Sequence, residues 1–97
     1  MRRKPTLPSK VRITSKVTYR VIISDELDKD TLGECRFEEK HIIIKQGLSY
    51  SESIKVLIHE LLHCIEWHGL KRDISHKLIY DLENPIFKIL LLNKWIK

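Results

Sequence analysis

The sequence predicts an α+β fold: a short antiparallel sheet of three to four strands, an HExxH helix, and one or two C-terminal helices. Three observations predict it. Lys10–Thr14 and Val17–Ser24 alternate in polarity, with Val17, Tyr19, Val21 and Ile23 on one face of a strand. Ser49–Gly69 instead repeats its apolar residues at helical spacing. The last stretch, Ile86–Ile96, is apolar almost all round, as a buried or partnered helix would be.

In chain order, Pro5 and Pro8 interrupt a basic segment, and residues 1–9 read as a flexible tail ahead of one domain over 10–97. Asp25–Thr31 is acidic and loop-like. Cys35–Phe37 and Ile42–Ile44, separated by Glu38-Glu39-Lys40, read as a hairpin, and His41–Lys45 is β-branched enough to be a strand. In the helix that follows, Ser49-x-x-Glu52 makes a capping box and Gly69 is the expected left-handed stop. A second helix begins near Asp73 or Ser75, and Asn84-Pro85 should kink or restart it. Its apolar C-terminal part is expected either to wedge under the sheet or to form a homodimer contact.

The organising stretch contains His59-Glu60-Leu61-Leu62-His63. A helix turns 100° per residue, so the two histidines lie about 40° apart on one face and can share one metal ion. Ile54, Leu57, Ile58, Leu61, Leu62 and Ile65 fall on the opposite arc, which a core would cover. Shuffled chains of this composition contain the motif in only ~2% of cases. A purely solvated helix face would more usually carry Lys, Glu and Gln than two histidines.

A catalytic zinc site takes three protein ligands and leaves one position for water. His68 sits half a turn round, at the helix end, and reads as a polar surface residue or a partner of the C-terminal helix dipole. The longer pattern HExxHxxGxxH fails, because Glu66 and Gly69 stand where its glycine and third histidine belong. Two third ligands remain: His76, which we favour, and Glu83, seven residues further on nearly the same face. Glu60 is too far round to be a third ligand and suits a general base acting on metal-bound water. Tyr80, one turn after His76, is a candidate to stabilise the oxyanion, with Tyr50 a weaker one. Ile42–Lys45 is expected to offer a strand edge to an extended peptide.

Composition narrows the alternatives. The net charge is +5, but Arg2, Arg3, Lys4 and Lys10 supply four of the 18 basic residues. The remaining 14 face 13 acidic side chains, so the folded part should be nearly neutral and any nucleic-acid contact weak and confined to the tail. No apolar run is long enough for a membrane span or a secretory signal. Two cysteines in unlike contexts, Cys35 and Cys64, call for no disulfide, and a reducing cytoplasm is the expected compartment.

With these residues in place, the chain resembles the zincin metallopeptidases. It is more closely similar to small single-domain HExxH proteins of phage and mobile elements, and to SprT-type and ImmA/IrrE-type metallopeptidases. The resemblance runs through Leu32–Cys35 with His41–Ser49, Leu57–Trp67, and Ile74–Pro85. It implies zinc held by His59 and His63, a catalytic Glu60, and a protein or peptide substrate. The SprT-type pattern would make His76 the third ligand, the ImmA/IrrE-type pattern Glu83. The alternative is a non-catalytic phage-type binding module whose zinc site is structural or vestigial.

Overall fold

A computed structural model describes residues 6–70 and 74–96. Most of the basic tail and the start of the loop before the last helix, Asp73 included, lie outside the described residues.

Four strands form one sheet: β1 (Lys10–Thr14), β2 (Val17–Ser24), β3 (Gly33–Arg36) and β4 (His41–Lys45). Their order is β1-β2-β4-β3. The class is α+β as expected, but the sheet is mixed rather than antiparallel, because β2 and β4 run parallel with Val21 opposite Ile42. Alternation along a strand reports which face is buried and says nothing of the partner's direction. The expected hairpin is present, with Cys35 opposite Ile42 and Lys40 turning the chain at a φ of 58°. Because β4 lies between β2 and β3, both of its edges are paired. Ile42–Lys45 therefore has no edge to offer a peptide, and the free edge on that side belongs to β3.

Helix α1 (Tyr50–Cys64) starts in the anticipated capping box. Ser49 Oγ accepts from the Glu52 N–H, and the Ser49 N–H donates to the Glu52 carboxylate. Gly69 does not stop it; Gly47 is the one glycine with positive φ among the described residues. The helix widens instead into a π-helical extension, Ile65–Leu70. Widening shifts the phase, so Ile65 leaves the apolar arc and stands exposed.

Helix α2 (His76–Leu92) is capped by Ser75, whose hydroxyl accepts from the Leu78 N–H. It runs unbroken through Pro85. The helix tolerates the missing N–H because Ile79 and Phe87, on either side of the proline, are anchored in the core.

The core has two layers with α1 between them. Tyr19, Ile42, Ile44, Val56, Leu57 and Cys64 join α1 to the sheet. Ile54, Ile58 and Leu62 meet Ile79 and Phe87 of α2 on the other side. So α2 packs on α1 rather than under the sheet, and Leu78, Ile89 and Leu92 remain exposed on its outer side. Leu7 packs against both layers. Among the described residues no helix is long and apolar enough to cross a membrane.

Candidate metal centre

Helix α1 buries its apolar arc on two sides, so the His59–His63 stripe is left facing the N-terminal turn of α2. His76 is the first residue of that turn. The ring centroids of His59, His63 and His76 form a triangle with sides of 5.0, 5.1 and 5.8 Å. One ring nitrogen from each lies within 4.8 Å of the other two. Bonds of 2.0–2.1 Å to a tetrahedral zinc would need nitrogens about 3.3 Å apart. Rotations of these rings can close that gap, so three imidazoles on two packed helices fit the ion.

Each α1 histidine is backed by a carboxylate. Nδ1 of His59 is 2.9 Å from Glu83 Oε1, and Nδ1 of His63 is 2.5 Å from Glu66 Oε1. An Nδ1–H donated to a carboxylate leaves the lone pair on Nε2, holds the ring's orientation and raises its basicity toward a metal. The two alternatives for third ligand thus occupy different places. His76 stands with the motif histidines, and Glu83 stands behind His59.

Glu66 makes a second contact, accepting the Ile74 N–H with its other carboxylate oxygen. Burial alone would raise its pKa, but that N–H and His63 outweigh it and hold the carboxyl below its ordinary value. Sequence reasoning registered Glu66 only as a departure from the longer motif. The available signal was an acid one helical turn after the second histidine, where i and i+3 side chains meet.

Glu60 is almost fully buried. Burial raises its carboxyl pKa to about 7; His63 opposes the rise, and Glu34 and Glu83 add to it. Its neighbour across the sheet edge is Gly33, where a Cβ would lie 2.5 Å from Val56 Cγ1 and 3.0 Å from Glu60 Oε2. Only a residue without a side chain lets β3 come this close to the motif helix.

Glu60, His59, His76 and Tyr80 line one open cleft of about 570 Å³, bounded on the sheet side by Asp30–Gly33. The Tyr80 ring is exposed, 5.1 Å from His59 and 6.1 Å from His76 between centroids. Tyr50 is elsewhere, packed beside Ile54 in the α1–α2 layer. His68 is partly buried rather than free on the surface, with its Nε2 2.6 Å from the hydroxyl of fully buried Tyr19. Burial, followed by the nearby thiols of Cys64 and Cys35, pushes that phenol above its usual range. Those thiols are both free, with sulfurs 3.4 Å apart.

No family model, curated protein or solved structure matches this chain.

Proposed function

We propose that the chain is a zinc-dependent metallopeptidase that hydrolyses a peptide bond in an extended protein segment. The observation that carries this reading is a cluster of three imidazoles, two of which, His59 and His76, line an open cleft that also holds a buried carboxylate. A structural zinc site is closed by four protein ligands, whereas a catalytic one keeps a position open. Among the described residues the cluster offers three donors, and two of them, His59 and His76, line the open cleft.

His59, His63 and His76 would hold the ion, which when bound supplies Lewis acidity toward a carbonyl and lowers the pKa of water. Glu60 sits beside that position with a proton affinity near neutral, as a group that first accepts and then returns a proton requires. Tyr80 can donate its hydroxyl proton to a developing oxyanion at the cleft mouth. The free edge of β3 runs into the same cleft through Gly33. An extended peptide pairing there would bring its backbone alongside Glu60. The reading takes the substrate to be a cytoplasmic protein.

Metal analysis with cleavage of a quenched fluorescent unfolded polypeptide tests this. Wild type should carry one zinc per chain and cleave; Glu60→Gln should keep the zinc and lose at least about 10²-fold in rate. Equal cleavage by wild type and Glu60→Gln, or a chain that takes up no zinc, overturns the proposal. Zinc bound with no cleavage of any polypeptide would instead favour the binding-module alternative.

A further inference from the structure

The near-neutral balance of the chain after residue 10 conceals a separation of charge that the sheet creates. On β1 and β2, Ile13, Val17, Tyr19 and Val21 pack into the core that α1 covers, and Val11 stands opposite Tyr19 on the same face, so the intervening residues form the opposite, open face. That face carries Lys10, Arg12, Thr18 and Arg20, all exposed, which together line a shallow depression. The register places Lys10 directly opposite Arg20 and Arg12 opposite Thr18. None of the three cations has a carboxylate within ion-pair distance among the described residues. The other end of the same sheet differs: Arg36 is neutralised by Glu34 and Glu39, and His41 also faces Glu39. Lys45 of β4 is partly buried and donates to the Lys29 carbonyl, so the exposed unpaired cations of the sheet gather at the β1–β2 end, the sheet edge opposite β3.

We propose that this face binds the phosphate backbone of nucleic acid without reading base sequence. Three cations sit around one hydroxyl, and Lys10 and Arg12 are about 7 Å apart along their strand, so neighbouring phosphates meet neighbouring side chains. Two of the three are guanidinium groups, whose fork matches phosphate oxygens. The depression contains no aromatic ring on which a base could stack, so recognition stops at the backbone. It also contains no apolar side chain to enter a lipid interface, which disfavours a membrane as the occupant. The proposal is independent of the metallopeptidase reading.

Fluorescence anisotropy of the full chain tests it, using a mixed-sequence DNA of about 20 nucleotides, single-stranded and duplex, over a range of salt. The logarithm of affinity should fall with the logarithm of salt with a slope steeper than about −2. Arg12→Ser with Arg20→Ser should flatten that slope by about 1.4 to 1.8 and weaken binding at least about tenfold at 0.1 M salt. Lys77→Ser with Lys88→Ser removes the same net charge from α2 and should leave slope and affinity unchanged. Thermal melting followed by circular dichroism establishes that both double variants fold; should Arg12→Ser with Arg20→Ser not fold, Arg20→Gln is measured and should flatten the slope by about 0.7 to 0.9. DNA affinity equal in wild type and the β-strand variant overturns the proposal, as does equal weakening by both double variants. So does binding of acidic vesicles or of polyglutamate, but not DNA, through Arg12 and Arg20.

Discussion

Glu66 holds His63 with one carboxylate oxygen and the Ile74 backbone with the other, two residues ahead of His76. One side chain thus orients His63 on α1 and tethers the chain that delivers His76 on α2. Glu66→Ala should lower zinc affinity by roughly 10- to 100-fold, the range typical of partners behind a metal-bound histidine. Glu66→Gln keeps the shape and loses the charge, so its loss should be smaller. Competitive titration against a chromophoric chelator measures both. Unchanged affinity in Glu66→Ala would remove Glu66 from the site.

The third donor is distinguished by stoichiometry rather than affinity. His76→Ala should abolish stable zinc binding at micromolar protein, because it deletes one of three donors. Glu83→Ala should still bind one zinc per chain, about 10- to 100-fold more weakly, since Glu83 contacts His59 Nδ1. Metal content after gel filtration separates the two outcomes. The opposite pattern would make Glu83 the ligand and His76 a bystander.

Burial of Glu60 makes the metal-free protein pH-sensitive in a definite direction. In the folded chain its pKa is about 7, against an ordinary value of 4.5. Between those values the folded state holds the extra proton, so this group's contribution is greatest below 4.5 and is lost as pH rises through about 7. The full swing is on the order of 3 kcal/mol. Urea unfolding of the metal-free chain at several pH values should show wild type losing stability relative to Glu60→Gln across that window. Zinc should suppress the difference, because a nearby cation favours the charged carboxylate.

Gly33→Ala tests the close approach of β3 to α1. The added methyl group would meet Val56 within 2.5 Å and Glu60 within 3.0 Å, so β3 or the carboxylate must shift. Destabilisation of about 1–3 kcal/mol is expected, measured by urea unfolding. Any cleavage activity should fall by more than that stability loss accounts for, because the displaced group is Glu60.

Tyr19→Phe removes the hydroxyl that faces His68 and leaves a ring of nearly the same volume in the core. Stability should fall by about 1–2 kcal/mol, since the His68 nitrogen loses its partner in a partly buried setting. Zinc stoichiometry should not change, as His68 is no part of the histidine triangle. Denaturant unfolding and metal content read the two effects separately.

The sequence by itself determined the α+β class, the four strands, the capping-box start of α1, and the one-face placement of His59 and His63. All of these follow from local chemistry and from periodicity within a single element. Tertiary structure decided what depends on two elements at once. It set the parallel pairing of β2 with β4, which leaves β3 as the free edge beside the cleft. It set His76 beside the motif histidines and Glu83 behind one of them, a distinction that spacing along α2 could not make. It also gathered Lys10, Arg12 and Arg20 on one open face of a chain whose summed charge after residue 10 is close to zero. A pattern along one strand or helix reports which side is covered, whereas distances between side chains on different elements exist only once those elements pack.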